Sequence, residues 1–128
     1  MSPAMRLTSV RIFVDDLEKG AAFYEDVVGL TRTATAPTAI LFENSPSVVV
    51  EAADDDARRH GLLGRFTGVS FETEDATALY DELRQKRVPI HGPPEKQYWG
   101  GIMLFADDPS GNTIAFLQYP KSATNRGQ

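Results

Sequence analysis

The chain contains an internal repeat. Residues 10–17 read Val-Arg-Ile-Phe-Val-Asp-Asp-Leu, and residues 69–76 read Val-Ser-Phe-Glu-Thr-Glu-Asp-Ala. In each copy an alternating apolar stretch runs into an acidic residue suited to cap a helix. Each copy therefore predicts a strand followed by a helix, and the repeat predicts two equivalent modules with a pseudo-symmetric site. The residues at matching positions of the two modules then decide which chemistry that site can perform.

The first module is predicted to have the element order βαβββ over about residues 7–53. Residues 7–14 alternate as a strand does, and Asp16 is a suitable N-cap for the helix that follows. We expect this helix to extend to about Val28 and to end at Gly29. Three further strands are expected at about residues 31–36, 38–43 and 48–52. The turn residues of 44–47 separate the last two.

The second module repeats this order over about residues 66–119. Its first strand is expected at residues 67–73, with Asp75 as the cap of a helix that ends near Arg87. After residues 88–91, the Gly-Pro-Pro sequence of 92–94 breaks the chain. The last two strands are expected at 102–106 and 113–119, joined by the strong turn signal of 108–112.

The remaining segments are polar. Residues 54–65 are charged and aperiodic, which predicts a linker, although a helical turn at 57–60 is compatible with its sequence. Residues 120–128 are predicted to form a polar, disordered tail. A chain of 128 residues with 41% hydrophobic and 24% charged residues is typical of one globular domain. We therefore expect residues 1–128 to form a single domain built from the two modules.

Charge and cysteine content exclude several classes of partner and chemistry. The formal net charge of −5 argues against nucleic acid as a partner, because such binding needs clustered Lys and Arg. The chain has no cysteine, so disulfides, thiolate metal sites and thiol nucleophiles are excluded. The sequence also has no apolar run long enough to span a membrane and no signal-like N-terminus. These features predict a cytoplasmic protein with no membrane partner.

Several short motifs resemble those of one superfamily. They are residues 14–19 (Val-Asp-Asp-Leu-Glu-Lys), Phe23-Tyr24, 28–30 (Val-Gly-Leu), Trp99-Gly100 and 108–112 (Asp-Pro-Ser-Gly-Asn). Their order and spacing are similar to those of the vicinal oxygen chelate superfamily. It includes glyoxalase I, extradiol dioxygenases, fosfomycin-resistance enzymes and bleomycin-resistance binding proteins. The resemblance implies an α+β fold in which two βαβββ modules form a curved mixed sheet, a cup, with helices on the convex side. It also implies a homodimer.

Metal-dependent members of this superfamily hold a divalent ion with side chains from the first and last strand of each module. The local motifs place Ser9, Glu51, Gly68 and Ala115 at the four matching positions. Of these residues, Glu51 alone suits such a metal, because Gly68 and Ala115 have no donor side chain. A catalytic metal needs three or four protein ligands. We therefore predict a site without a metal and without another cofactor.

Arg11 and two acidic residues are candidate ligand-binding residues. Strand alternation places Arg11 on the face of Ser9, which the resemblance assigns to the interior of the cup. A guanidinium there needs an anionic partner, which could be Glu51, Glu72 or an anionic group of a ligand. An internal ion pair with Glu72 is the structural alternative. Glu51 is a relic of the metal site, the partner of Arg11, or a candidate catalytic base.

Aromatic residues complete the predicted site. Phe13 lies on the same predicted strand face as Arg11. Tyr98 and Trp99 follow a proline-rich segment rather than alternating within a strand, and rings on such a loop are suited to stack on a planar ligand. Most other aromatic side chains, such as Phe42 and Phe105, are interpreted as core.

Two histidines and two adjacent aspartates have mainly structural interpretations. His60 lies in the charged linker, and His91 precedes the Gly-Pro-Pro break with no visible carboxylate partner, so a catalytic role for it is not favoured. Asp107 and Asp108 look like a carboxylate pair. Neighbours on a strand point to opposite faces, however, so we interpret both as turn residues.

These features predict a metal-independent protein that binds a small aromatic or amphipathic organic molecule, of the drug-sequestering, bleomycin-resistance type. The alternative is an enzyme with lyase, isomerase or epimerase chemistry next to a carbonyl, with Glu51 as the base and Arg11 stabilising an oxyanion. A metal-dependent enzyme of the glyoxalase or dioxygenase kind would require different metal-ligand positions. A regulatory or carrier domain without catalysis is a further hypothesis.

Overall fold

The structure is a computed structural model that describes residues 3–121. The chain divides into two compact units, Met1–Gly64 and Arg65–Gln128, which are described in turn. Both have the predicted order βαβββ. Of the predicted polar tail, residues 122–128 lie outside the described residues. Within the described part of the chain, no helix is both long and apolar enough to cross a bilayer.

The first unit contains one four-stranded mixed sheet and two helices. Its elements are β1 (Ser9–Val14), α1 (Leu17–Asp26), β2 (Arg32–Thr35), β3 (Ala39–Phe42), β4 (Ser47–Ala52) and α2 (Asp55–Arg59). The strand order is β1-β4-β3-β2. Strand β1 pairs in parallel with β4, and the other neighbours are antiparallel.

The core of the first unit lies between α1 and one face of this sheet. The face is lined by alternate, buried residues of three strands: Ile12, Val14, Ile40, Phe42, Val48 and Val50. From α1, Ala21 and Tyr24 are fully buried, and Gly20 approaches Val14 closely. The opposite face, which carries Arg11 and Phe13, is not covered by α1 and is called the open face of the first sheet. The predicted division of β1 into two different faces is therefore confirmed.

Helix α1 begins and ends with local backbone signals. Its N-cap Asp16 accepts a hydrogen bond from the Lys19 amide over 3.0 Å, as predicted. At the other end, Gly29 has a positive φ of 87°. The Leu30 amide donates to the Tyr24 carbonyl over 2.9 Å, which satisfies a carbonyl of the last turn. The helix ends at Asp26, two residues before the predicted end. The Val28 amide donates over 3.3 Å to the Phe23 carbonyl, five residues back, instead of continuing the series of bonds four residues back.

Strand β2 is connected to α1 by an ion-pair network. Arg32 donates to both carboxylate oxygens of Glu25, over 2.8 and 3.1 Å, and lies near Glu18. The hydrogen bond to Glu25 raises the pKa of Arg32 above its ordinary value. This network holds the edge strand of the first sheet against the helix.

The second unit repeats the architecture with a different edge. Its elements are β5 (Phe66–Glu72), α3 (Ala76–Gln85), β6 (Glu95–Lys96), β7 (Ile102–Asp107) and β8 (Thr113–Gln118). The strand order is β5-β8-β7-β6, with β5 parallel to β8. Asp75 caps α3 as predicted, accepting from the Ala78 amide over 3.0 Å. The core below α3 includes Leu83, Leu104, Ala106, Ile114 and Phe116, which are all buried. The interpretation of Phe105 as a core residue is wrong, because it lies on the other face of β7 and is only half-buried.

Two segments differ from the sequence interpretation. The predicted linker contains α2, because Asp54 caps it by accepting from the Ala57 amide over 2.8 Å. In the second unit, where the repeat predicts a strand soon after α3, residues 88–91 contribute only an isolated bridge between Ile90 and Ala106. The edge strand is instead the two-residue β6. The proline-rich break delays strand pairing until Glu95, because proline has no N–H to donate to a ladder.

Candidate functional site

Arg11, Phe13 and Glu51 form a cluster on the open face of the first sheet. Phe13 lies directly opposite Glu51 where β1 pairs with β4. Arg11 lies two residues before Phe13 on β1, so its side chain is on the same face of the sheet. Arg11 Nε donates to Glu51 Oε1, and Nη2 donates to Oε2 over 3.1 Å. The guanidinium carbon lies 5.3 Å from the centroid of the Phe13 ring. The parallel pairing of β1 with β4 thus assembles three of the predicted ligand-binding residues.

The Arg11–Glu51 pair is accessible to solvent. The Arg11 side chain is 59% exposed and that of Glu51 is 22% exposed. The hydrogen bond to Glu51, with the attraction of its charge, raises the pKa of Arg11 above its ordinary value. Glu51 uses two of the five N–H donors of the guanidinium. Within residues 3–121 the other N–H donors make no further hydrogen bond, and the side chain stays largely exposed beside Phe13.

A cleft opens beside this cluster, between the open face and α2. Its volume is about 240 Å³. It is lined by Arg11, Phe13, Glu51, Ala52, Asp54, Asp56, Ala57, His60 and Leu62. His60, in the predicted linker, is exposed and follows α2, and its Nδ1 is 2.7 Å from the Asp56 carbonyl oxygen. The cleft therefore has the Phe13 ring on one wall, the guanidinium of Arg11 beside it, and carboxylates around both.

The pairing register shows which residues of the two modules correspond. Phe13 and Glu72 occupy equivalent positions of the repeat. Glu51 lies opposite Phe13, and Leu117 lies opposite Glu72. Leu117 is therefore the counterpart of Glu51, and Ala115 lies two residues before it. The second module presents no metal donor at either of these two positions.

The residues present do not fit the divalent metal of the superfamily. Gly68 lies in an irregular part of β5 with a φ of 74°, and like Ala115 it has no donor. Both oxygens of Glu51 already accept from Arg11. Across residues 3–121, no group of three or more His, Cys, Asp or Glu side chains is arranged to hold a metal ion. Ser9 and Glu51 fall short of the ligand number that a catalytic metal needs.

The other predicted ligand-binding residues belong to the second unit. Glu72 is exposed near the end of β5. Tyr98 and Trp99 occupy the turn between β6 and β7, where the Gly100 amide donates to the Gln97 carbonyl over 2.9 Å. Tyr98 is fully exposed, whereas the half-exposed Trp99 lies against Gly101 and has its ring centroid 6.2 Å from that of Tyr119.

A pairing that the sequence interpretation missed lies in the second unit. His91 has a carboxylate partner, because its Nε2 lies 2.7 Å from Asp107 Oδ1. Thr113 Oγ1 donates to the same oxygen over 2.6 Å. The interpretation of Asp107 as a turn residue is therefore wrong. Asp108 is the turn residue, buried and accepting from the Ser110 and Asn112 amides. The Asp107–His91 contact depends on the bridge at Ile90, which has no local sequence signal.

The chain is similar in sequence or structure to proteins that are described as having different activities. Metallothiol transferase FosB of Lysinibacillus sphaericus is 25% identical over 105 residues, which are 80% of this chain and 74% of that protein. A superfamily member from Sphaerobacter thermophilus has a similar structure, with a TM-score of 0.76 and 25% identity over 91% of this chain and 98% of that one. TnmS3, an antibiotic binding protein from Streptomyces sp. CB03234, has a TM-score of 0.74 and 24% identity. That alignment covers 92% of this chain and 98% of the other.

The match to a family extends over most of the repeat. The family model described as Glyoxalase/Bleomycin resistance protein/Dioxygenase superfamily matches residues 6–116. This region contains both βαβββ modules up to the middle of β8. The chain therefore belongs to the glyoxalase/bleomycin resistance protein/dioxygenase superfamily.

Proposed function

We propose that this protein binds a small planar organic molecule that carries an anionic or hydrogen-bond-accepting group, and that it does so without a resident metal. The binding surface is the cleft between the open face of the first sheet and α2. The observation that carries the proposal is the arrangement of Arg11. Its guanidinium is held at one edge by Glu51 and lies over Phe13, yet the side chain is 59% exposed.

The geometry of Arg11 favours a planar ligand. A guanidinium is planar and stacks on aromatic rings. Glu51 holds this one so that it lies over Phe13 and still contacts solvent. A ligand ring can stack on the accessible guanidinium while its oxygen atoms accept from the remaining N–H donors. The volume of about 240 Å³ suits one substituted ring, since a cavity of about 150 Å³ holds benzene.

The arrangement of Glu51 supports binding rather than proton transfer. A general base must reach the proton that it removes and must have an oxygen available to accept it. Both oxygens of Glu51 accept from Arg11, so a proton transferred to this carboxylate would have to displace one of those hydrogen bonds. The alternative of an enzyme that uses Glu51 next to a carbonyl is for this reason less well supported. A metal-dependent enzyme is also less well supported, because Gly68 and Ala115 supply no metal ligand.

Relatives with this fold supply a second line of support. TnmS3 is described as an antibiotic binding protein, so the fold is compatible with ligand sequestration. FosB is described as a metallothiol transferase, and that activity would need donors in place of Gly68 and Ala115. We accordingly propose sequestration of an aromatic or amphipathic molecule as the function. Glu72, Tyr98 and Trp99 are proposed as ligand-binding residues of the second unit by itself.

The proposal is tested with 4-methylbenzoate, a planar aromatic carboxylate with one substituted ring, by isothermal titration calorimetry. The Arg11→Lys variant keeps the charge but loses the planar guanidinium, so we expect its affinity to fall roughly tenfold, about 1.4 kcal/mol. Arg6→Lys, an exposed Arg-to-Lys change in the same unit, is the matched control and should leave binding unchanged. Equal affinities for the Arg11→Lys variant and the unaltered protein, or loss of binding in excess EDTA, would overturn the proposal.

A homodimer is proposed from the family resemblance. Met5 and Leu7, just before β1, are large apolar residues that are 94% and 71% exposed. Exposed apolar residues of this kind are suited to burial against a second copy of the chain.

A further inference from the structure

The second unit contains an aromatic cavity that the proposed function does not use. Its volume is about 300 Å³, and it is lined by Phe66, His91, Phe105 and Thr113. The Phe66 and Phe105 rings are 6.0 Å apart at 44°, and Phe66 is 64% exposed. An exposed phenylalanine beside a second ring forms an apolar wall in contact with solvent.

Strand register explains why these residues meet. Phe66 lies opposite Thr113 in the β5–β8 pair, and Thr113 lies opposite Asp107 in the β8–β7 pair. The bridge from Ile90 to Ala106 brings the segment before the Gly-Pro-Pro break onto β7. The His91 amide then donates to the Phe105 carbonyl over 2.9 Å. Backbone pairing therefore places the imidazole at the edge of the aromatic wall.

Asp107 orients the imidazole. An ionised carboxylate only accepts hydrogen bonds, so the contact of 2.7 Å from Asp107 Oδ1 to His91 Nε2 assigns the ring proton to Nε2. Thr113 fixes the carboxylate in turn through its bond of 2.6 Å to the same oxygen. In the neutral ring Nδ1 is then an acceptor. Among the residues that the structure describes, the imidazole makes no second hydrogen bond, so Nδ1 is free to accept from a ligand.

The geometry points to a second ligand site, formed by Phe66, His91, Phe105, Asp107 and Thr113, for a planar aromatic molecule that bears a hydroxyl donor. The ring of such a phenol would pack on Phe66 and Phe105, and its hydroxyl would donate to His91 Nδ1. Asp107 acts as a positioning residue through His91. The ligand class differs from that of the Arg11 cleft, which presents N–H donors and therefore selects acceptors.

The experiment compares 4-methylphenol with 4-methylanisole, which has a similar shape but no hydroxyl donor. Titrations followed by calorimetry should show roughly tenfold tighter binding of the phenol, the size expected for one partly buried hydrogen bond. His91→Ala should remove this preference, and Phe66→Ala should weaken both probes. Tyr80→Ala, an aromatic truncation on α3 outside this cavity, is the matched control and should change neither affinity.

A spectroscopic readout separates a ligand site from a purely structural His91–Asp107 contact. In ¹⁵N spectra of the imidazole, the free protein should show the Nε2–H tautomer, and 4-methylphenol should shift the Nδ1 resonance while the anisole leaves it in place. Equal affinities for the two probes, or an Nδ1 resonance that the phenol does not move, would overturn the inference. Neither outcome affects the Arg11 cleft, whose test uses a carboxylate probe and variants of the first unit.

Discussion

Asn112 is a polar side chain that is completely buried, and it connects two parts of the second unit. Its Nδ2 donates to Asp108 Oδ2 over 3.0 Å, and its Oδ1 accepts from the Arg65 amide over 3.3 Å. Asp108 is itself only 3% exposed and accepts two further backbone amides of the turn. The Asp-Pro-Ser-Gly-Asn turn is therefore a buried hydrogen-bond network as well as a surface reversal of the chain.

Replacing Asn112 with Ala should destabilise the protein. The change removes a donor from a buried carboxylate and an acceptor from a backbone amide, which together cost about 2 kcal/mol or more. Asn44→Ala is the control, because Asn44 is exposed and its bond to the Pro46 carbonyl is in contact with water. We expect Asn44→Ala to lower the free energy of unfolding by less than about 1 kcal/mol. Urea unfolding of both variants measures the difference. Similar losses would show that the Asp108 network does not depend on Asn112.

At the residue scale, local chemistry was predictable and long-range pairing was not. The turn role of Asp108 follows from its neighbours in sequence, and the structure confirms it. The partner of Arg11 could not be chosen between Glu51 and Glu72, because that choice depends on which strands are neighbours. The contact of His91 with Asp107 has the same origin, since it spans 16 residues and arises from an isolated bridge.

The packing of α1 on the first sheet depends on Gly20. A Cβ atom at this position would lie 2.8–3.1 Å from the Val14 side chain, which is fully buried. Real Cβ contacts are longer, so helix and strand would have to separate. The glycine thus sets the distance between α1 and β1, although glycine is a poor helix former.

Gly20→Ala should therefore destabilise the protein by up to about 2 kcal/mol, because overpacking costs about 1–3 kcal/mol and the higher helix propensity of alanine offsets about 1 kcal/mol of it. Val14→Ala removes the opposing methyl groups. In that background Gly20→Ala should become stabilising, by up to about 1 kcal/mol. A double-mutant cycle from denaturant unfolding gives this coupling. If Gly20→Ala lowers the free energy of unfolding with either Val or Ala at position 14, Val14 is not the residue that requires a glycine at position 20.

At the element scale, periodic segments were predictable and short segments were not. Alternation gave the two faces of β1, and the caps Asp16 and Asp75 gave the starts of α1 and α3. Helix α2 has five residues and β6 has two, which is too short for a periodic pattern to develop. Helix α2 matters for the candidate site, because it forms one wall of the Arg11 cleft.

At the scale of the whole molecule, the repeat predicted both the number of modules and their order. Each unit has a parallel pair formed by its first and last strands, β1 with β4 and β5 with β8. The positions that carry metal donors in the superfamily lie on these pairs. Gly68 and Ala115 at these positions have no donor side chain, and this is the basis for proposing a site without a metal.

Divalent metal ions should therefore leave the stability of the whole protein unchanged. A ligand that binds the native state at 100 times its Kd would add about 2.7 kcal/mol and raise Tm. We expect no rise with Ni²⁺, Mn²⁺, Fe²⁺ or Zn²⁺, because Gly68 and Ala115 supply no donor and Glu51 is bound to Arg11. Calorimetric scans with each metal and with EDTA test this, together with the metal content of protein purified without chelators. One metal bound per chain, with a higher Tm that EDTA reverses, would mean that other side chains form a metal site and would restore the lyase or dioxygenase hypothesis.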